Sequence, residues 1–274
     1  MKRKGRQIAI YTLMMIVAVI MFFPILWIIF SSFKSLIEFS SYPPRLLPKT
    51  FSLRNYSEIF SNTKLPLYLR NTLILMIGNT VGTLLSSSMV AYPLARMEFK
   101  GKSLVFGLII ATMMIPSYVT IVPQYILFRY LGWLDSFLPI IVPAFFAYPY
   151  NVFLFRQFYR TIPRELDEAA KIDGCNEWQI FWKIIVPISK PIFITIGVLS
   201  SIYWWNEFFV PMVFINSEDL KPLSVGIYSF SRTTFIVRWD LIMAMATIMI
   251  IPPMILFLLA REYITAGIKT TGLK

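Results

Sequence analysis

The 274-residue sequence contains no histidine and a single cysteine, Cys175. Without histidine, a catalytic triad with an imidazole base is excluded, and so is a zinc site built from cysteine and histidine ligands. One cysteine cannot form an intrachain disulfide, so we interpret Cys175 as a small apolar side chain. Charged residues make up 15% of the chain, whereas a soluble domain carries about 25%. This composition argues against a pair of ordinary soluble domains.

Basic residues outnumber acidic ones by 26 to 14, which gives a net charge of +12. A nucleic-acid-binding protein carries such charge on a soluble face. Here the lysines and arginines lie at the ends of apolar runs, where they suit the anionic head groups of membrane lipid. The charge therefore indicates contact with membrane lipid and no binding of nucleic acid.

Long charge-free stretches account for most of the hydrophobic 57% of the sequence. A membrane-spanning helix needs about 20 mostly apolar residues, and its backbone hydrogen bonds close within the helix. We predict an all-α membrane protein with a single transmembrane domain over residues 1–274. Its six spans are expected at about residues 8–33, 71–95, 103–128, 136–155, 191–213 and 241–260. The first is too long for a signal-peptide core and is expected to remain as an anchor.

The distribution of lysine and arginine predicts the orientation of these spans. If the amino terminus is cytoplasmic, the inner segments are 1–7, 96–102, 156–190 and 261–274. These segments hold 16 of the 26 basic residues. Both termini of this multi-pass protein are therefore expected in the cytoplasm.

Gly78, Gly82 and Ser86 are spaced four residues apart in the second predicted span. Small residues on one helix face let two helices approach closely. The spacing is compatible with packing inside this chain and with an interface to a partner chain. Gly101-Lys102-Ser103 is similar to the end of a phosphate-binding loop, but Arg96 occupies the position of a required glycine. We therefore expect no nucleotide, metal or other cofactor in this chain.

The fifth predicted span contains a cluster of aromatic and polar residues, Trp204, Trp205, Asn206 and Glu207. A charged side chain within a span normally faces a cavity or a partner, and aromatic rings with hydrogen-bonding groups suit a sugar. These four residues are therefore a candidate translocation path. The alternative is that Glu207 lies at the membrane interface and the tryptophans form an interfacial belt.

Residues 162–187 have the pattern of two short helices joined by a turn. Pro163 suits a first helical turn, and acidic residues follow it at the positive end of the helix dipole. Gly174 suits the left-handed residue that ends a helix, and Asn176 with Gln179 predicts a capping box. Pro187 is expected to end the second helix before the fifth span.

The second of these helices carries an apolar stripe, Ile180, Phe181, Ile184 and Ile185, at helical spacing. Such a helix pair could lie on the membrane surface or dock onto a soluble partner. The periodicity of the stripe fits both arrangements.

The same segment resembles the signature loop of permease subunits in bacterial ATP-binding-cassette (ABC) importers. The resemblance rests on Glu168-Ala169-Ala170, on Asp173-Gly174, and on Pro187 thirteen residues after the glycine. Shorter matches are similar to the sugar-uptake class, of the maltose-transporter permease type: Met114-Ile115-Pro116, Leu131-Gly132-Trp133-Leu134-Asp135, Arg156-Gln157-Phe158, Trp205-Asn206-Glu207-Phe208 and Ala266-Gly267-Ile268.

The resemblance implies a type I ABC importer permease fold in a bacterial or archaeal inner membrane. It implies three kinds of partner: a second permease, two ATPase subunits that bind ATP and magnesium, and an extracytoplasmic solute-binding protein. Loop 162–187 would be the coupling helix pair, with Glu168, Ala169, Ala170, Asp173, Gly174, Ile180, Phe181 and Pro187 at the ATPase. By position alone, loop 217–240 would reach the binding protein and tail 261–274 the ATPase.

The expected function is thus that of a non-enzymatic permease subunit of an ATP-driven sugar importer. One alternative is a permease of the same type of ATP-driven importer with a different solute, for example glycerol phosphate, an amino acid or a peptide. Another is an ion-coupled secondary transporter, although we find no clear internal repeat of the kind common in that class. A membrane scaffold without transport activity is the third alternative.

Overall fold

The computed structural model describes the backbone of residues 2–233 and 237–271, and the side chains of residues 7, 8, 10–232 and 237–262. Within these ranges every regular element is a helix, which confirms the all-α class. Four helices are long and apolar enough to cross a bilayer. The number rises to six if each of two bent helix pairs counts as one span.

The chain divides into two compact units. The first consists of Met1–Pro66 and Gly226–Ile251, and the second of Leu67–Val225 and Pro252–Lys274. A single domain over residues 1–274 stays a prediction.

The first unit contains α1 (Lys2–Ser31), α2 (Leu36–Phe39) and α3 (Arg54–Asn62). The most apolar window of α1 has a mean hydropathy of 2.9 and contains no buried residue. This helix therefore presents its side chains to lipid or to a partner. The segment after α1 is held by Asn55, whose amide donates to the carbonyl oxygens of Ser32 and Lys34, both at 2.8 Å.

The second unit is built around α4 (Leu65–Arg96), a 32-residue helix. It is followed by α5 (Lys102–Thr112), α6 (Ile121–Tyr130), α7 (Leu138–Ile141), α8 (Pro149–Tyr159), α9 (Glu165–Ile172), α10 (Glu177–Ile180), α11 (Val186–Ile188), α12 (Lys190–Asn206) and α13 (Phe209–Phe214). Two further helices belong partly to each unit, α14 (Leu223–Thr233) and α15 (Trp239–Thr271).

The small face of α4 packs inside the chain. A Cβ added at Gly78 would come within 2.9 Å of Ile141, and one added at Gly82 within 2.9 Å of the Phe145 ring. The hydroxyl of Ser86 donates to the carbonyl oxygen of Ala144 at 2.8 Å. Of the two arrangements that the spacing allowed, the structure therefore has internal packing.

Three of the predicted spans are interrupted. Within 103–128, α5 and the helical segment Ser117–Tyr130 meet at 86°. Within 136–155, α7 is followed by a 3-10 turn, Val142–Phe146, and then by Ala147, whose φ is +65°. Hydrophobicity predicts the length of an apolar run and not the straightness of its backbone, so neither bend was predictable from it.

The break at Ala147 is stabilised by two serines of α4. The backbone N–H of Ala147 donates to Ser86 Oγ, and that of Tyr148 donates to Ser87 Oγ, both at 3.1 Å. A helix break at membrane depth is tolerated when neighbouring side chains satisfy the released backbone groups. Ser86 and Ser87 supply these acceptors.

The fifth predicted span, 191–213, is interrupted at Glu207, the charged residue that divides its apolar run. Helix α12 ends at Asn206, and a separate short helix, α13, begins at Phe209. Before α12, the helical segment Glu177–Ile188 meets it at 76°. The last helix, α15, is continuous from Trp239 to Thr271, and its candidate span, Trp239–Glu262, contains the predicted 241–260.

Candidate functional site

The turn within loop 162–187 has the local geometry that its sequence predicts. Gly174 has a φ of +80°, in the left-handed region. The N–H of Cys175 donates to the Ala170 carbonyl at 2.9 Å, and that of Gly174 to the Lys171 carbonyl at 3.1 Å. These two bonds form a Schellman motif, which satisfies carbonyl groups at the end of α9. A left-handed Gly174 is thus confirmed.

The second helix begins with the predicted capping box. The side chain of Asn176 accepts from the N–H of Gln179, and the side chain of Gln179 accepts from the N–H of Asn176, both at 2.9 Å. After Ile180 the helix widens into a π-helical turn, Phe181–Ile185. Such turns occur mostly as single insertions in α-helices, often at functional sites.

Two prolines lie elsewhere than predicted. Pro163 precedes α9, which begins at Glu165 after Arg164, so it is not part of the first helical turn. Pro187 lies inside the helical turn Val186–Ile188, and the break follows at Ser189. Proline lacks an N–H and disfavours helix in the preceding residue, so a helix end near each proline was predictable. The residue at which each helix begins or ends was not.

The apolar stripe of the second helix faces this chain's own core. Ile180 is 0% exposed and Phe181 is 1% exposed. They share a buried cluster with Tyr92, Phe155 and Ala170. The prediction that Ile180 and Phe181 contact a partner directly is therefore wrong, since periodicity identifies an apolar face without saying which body covers it. Ala170 is buried as well, so these residues hold the helix pair against the bundle.

The opposite side of the helix pair is exposed, and we call it the outer face. It presents large apolar side chains among charged and small ones: Leu166, Glu168, Ala169, Ile172, Asp173, Gly174, Trp178 and Trp182. Ile172 is 86% exposed and Trp178 is 58% exposed. The Trp178 ring also contacts that of Trp182, and exposed apolar side chains in mutual contact mark an interface with a partner or with a membrane.

Arg96, at the carboxyl end of α4, fixes the start of the helix pair. Its Nε donates to Asp167 Oδ2 at 2.8 Å. Its Nη1 donates to the carbonyl oxygens of Tyr159 and Ile162, and its Nη2 donates to that of Pro163 at 2.8 Å. The Arg96 side chain is 3% exposed. Sequence reasoning missed the role of Arg96, because its partners lie more than sixty positions away in the chain. The sequence indicated only that Arg96 lies at the end of an apolar run.

A second group of contacts joins α4 to the middle of the helix pair. The Tyr92 hydroxyl donates to Glu177 Oε2 at 2.8 Å, and Lys171 Nζ lies 2.7 Å from Glu177 Oε1. The hydrogen bond and the charge of Glu177 raise the pKa of Lys171 above its ordinary value. Both helices of the pair are thereby linked to each other and to α4.

The structure brings one of the four residues of the predicted translocation path to the wall of a cavity. Trp204 is buried and lines a cavity, whereas Trp205, Asn206 and Glu207 do not line it. Asn206 donates to the carbonyl oxygen of Ile202 in its own helix at 2.8 Å. Glu207 accepts from the N–H of Val210 at 2.9 Å, so its carboxylate caps the turn that starts α13.

The cavity has a volume of about 540 Å³ and lies wholly within the second unit. Its wall is formed by α4, α7, α8, α12, the segment 117–124 and Val210. Sequence reasoning missed most of its polar residues, including Gln124 and Asn151. They are isolated in apolar runs, and only the bends of the chain bring them together.

Parts of two further predictions lie outside the described residues. Residues 234–236 of loop 217–240 and residues 272–274 of the carboxyl-terminal tail are among them, and the side chains of 263–271 are not described. The match Ala266-Gly267-Ile268 falls in the latter range. A role of either segment at a partner remains a prediction.

Comparison with known proteins identifies the family. The family described as "Binding-protein-dependent transport system inner membrane component" matches residues 78–270. The arabinooligosaccharides transport system permease protein AraQ of Halalkalibacterium halodurans is 34% identical over 280 residues, covering 100% of both chains. The sulfoquinovosyl glycerol transport system permease protein SmoH of Agrobacterium fabrum is 33% identical, over 92% of this chain and 88% of its own length.

A solved structure has the same fold. It is a crystal structure of a bacterial ABC transporter involved in the import of the acidic polysaccharide alginate. One of its chains superimposes with a TM-score of 0.86 and 25% identity, covering 95% of this chain and 96% of that chain. The chain therefore belongs to the family of binding-protein-dependent transport system inner membrane components and has an ABC importer permease fold.

Proposed function

We propose that this chain is a permease subunit of an ATP-driven sugar importer and that its helix pair receives the movement of a separate ATPase. The observation that carries the proposal is the set of hydrogen bonds by which Arg96 attaches the start of the helix pair to α4. A force applied to the outer face would pass to α4 without being absorbed by a loose loop. Sugar cargo is proposed because AraQ and SmoH are named for sugar-containing solutes.

The proposed complex contains this chain, a second permease, two ATPase subunits and an extracytoplasmic solute-binding protein. ATP and magnesium would bind the ATPase subunits, and this chain would hold no cofactor. The helix pair and both termini would lie in the cytoplasm of a bacterial or archaeal cell. ATP binding would close the ATPase pair, and the helix pair would transmit that closure to the spans.

Uptake into proteoliposomes tests this proposal. The complete complex is reconstituted with its binding protein, and entry of a radiolabelled oligosaccharide panel is followed with and without ATP. We expect uptake of at least one sugar that requires ATP and the binding protein. Uptake that persists without ATP and collapses with an ionophore would instead indicate an ion-coupled transporter.

A further inference from the structure

We infer that the 540 Å³ cavity of the second unit is a binding site for an uncharged, polyhydroxylated solute. This inference rests on the proposed transport function and names the chemistry of its cargo. Small-molecule sites typically enclose about 300–1,000 Å³ and combine apolar walls with a few polar groups. The cavity meets both conditions. Its wall consists of Thr83, Ser117, Thr120, Ile121, Gln124, Pro139, Ile140, Pro143, Tyr148, Tyr150, Asn151, Leu199, Ser200, Tyr203, Trp204 and Val210.

The polar groups of the wall are amides and hydroxyls. Gln124 and Asn151 each carry an amide that donates two hydrogen bonds and accepts through its oxygen. Serine and threonine hydroxyls both donate and accept. A sugar hydroxyl also does both, so a polyhydroxylated ring can pair with this wall in several orientations.

The apolar part of the wall is rich in aromatic rings. Tyr148, Tyr150, Tyr203 and Trp204 contribute flat apolar faces with polar edges. The C–H face of a sugar ring packs on such a surface while its hydroxyls point to the amides. The combination favours a carbohydrate over a purely apolar solute, which would leave the amides and hydroxyls unpaired.

One wall residue carries a hydroxyl that has no hydrogen-bond partner. Thr83 is 1% exposed, and its Oγ1 is unpaired among the described residues. Burying an unpaired hydroxyl is unfavourable. Threonine in a helix populates two side-chain rotamers, so rotation about χ1 would bring this hydroxyl to the cavity wall. A sugar hydroxyl there would supply the missing partner.

The wall contains no aspartate, glutamate, lysine or arginine. The carboxylate of Glu207 does not line the cavity, but it hydrogen-bonds the hydroxyl of Tyr203, a wall residue, and accepts from the N–H of Val210. The one charge beside the wall is therefore negative. A carboxylate or sulfonate on the solute would lose its hydration and find no cationic side chain in exchange. The site therefore selects neutral sugars and rejects acidic ones, unlike the alginate importer with the same fold, whose cargo is an acidic polysaccharide.

Protection of a cysteine in the cavity wall tests the inference on the intact complex in lipid nanodiscs. The reporter is Leu199→Cys in a Cys175→Ser background, because Leu199 lines the cavity, is 44% exposed and offers no hydrogen bond. The probes are arabinotriose, diacetylchitobiose and maltotriose as neutral sugars, and digalacturonate as an acidic one. The control is Leu127→Cys, which is 53% exposed and does not line the cavity.

We expect at least one neutral sugar to slow maleimide labelling of the Leu199→Cys variant, and digalacturonate to leave it unchanged. Labelling of the Leu127→Cys variant should respond to none of the four probes. Protection by digalacturonate, or by none of the neutral sugars, overturns the inference. Absence of ATP-dependent uptake of any sugar contradicts the proposed function instead, whereas uptake together with an unprotected reporter contradicts only the cavity assignment.

The Thr83→Val substitution tests the unpaired hydroxyl at nearly constant volume. If the hydroxyl has no role with a solute, the variant is as stable as the parent chain and binds equally well. If it contacts the sugar, half-maximal protection should need about three- to tenfold more sugar, the loss of one hydrogen bond. The matched control is Thr195→Val, whose hydroxyl bonds the Pro191 carbonyl in its own helix and which should not change protection. An unchanged Thr83→Val variant overturns the assignment of Thr83.

Discussion

Arg96 and Asp167 form a nearly buried ion pair, with 2.8 Å between Nε and Oδ2, that joins the end of α4 to the first turn of α9. The same guanidinium donates to three backbone carbonyls that precede α9. The four residues it contacts extend from Tyr159, the last residue of α8, to the first turn of α9. Together with the contact of Tyr92 with Glu177, this side chain holds the pair against α4.

Replacing Arg96 should loosen the attachment of the first helix of the pair to α4. In the Arg96→Gln variant the Asp167 carboxylate stays buried without its cation, and breaking such a pair costs about 3–5 kcal/mol. We expect normal membrane insertion with at least about tenfold weaker retention of the ATPase during copurification. The control is Arg70→Gln at the other end of α4, an exposed residue that should retain the ATPase. Wild-type retention in the Arg96→Gln variant would exclude the anchoring role.

Gly174 should be needed for ATPase association because of its backbone conformation. A Cβ there meets no atom within 4 Å, so the φ of +80° is the only local obstacle to substitution. A left-handed residue with a side chain is strained by about 1–2 kcal/mol. Gly174→Val should therefore weaken association by roughly five- to thirtyfold, and Gly174→Asn by less, since asparagine tolerates this conformation.

The matched control for Gly174 is Gly101. Its φ is +83° and a Cβ there also meets no atom within 4 Å, but it lies in the turn before α5. Gly101→Val carries the same backbone strain outside the helix pair and should keep its ATPase. Equal losses in the two variants would mean that any strained turn weakens the complex.

The packing of α4 on the broken fourth span can be tested with Gly82. A Cβ there lies 2.9 Å from the Phe145 ring and 3.0 Å from Ala144. Overpacking of this kind costs about 1–3 kcal/mol, so Gly82→Ala should lower the thermal unfolding midpoint of the purified chain. Gly107→Ala, where a Cβ meets nothing within 4 Å, should leave it unchanged or raise it slightly. A stable Gly82→Ala variant would contradict the packing.

Orientation in the membrane can be measured with two cysteines in a Cys175→Ser background. Leu47→Cys should react with a membrane-impermeant maleimide from outside the cell, because Leu47 is exposed and precedes α4. Arg160→Cys should react only after the membrane is opened, as the distribution of basic residues predicts. Labelling of the Arg160→Cys variant in intact cells would invert the topology and remove the helix pair from the cytoplasm.

The features predictable from sequence were those determined by neighbouring residues. The left-handed Gly174 and the Asn176–Gln179 capping box depend on contacts within five positions. The break at Ala147 depends on serines about sixty positions earlier, and the burial of Phe181 depends on helices far away in the sequence. Periodicity and composition contain no information about such distant partners.

Site-specific photo-crosslinking from Ile172 tests the central claim most directly. A photoreactive amino acid is placed at Ile172, on the outer face, and at Ile37 after α1, since both native side chains are 86% exposed. The complete complex is irradiated in native membranes, and the crosslinked products are identified by mass spectrometry. We predict a crosslink to the ATPase from position 172 and none from position 37. Crosslinks from position 172 to lipid alone would contradict the coupling role of the helix pair.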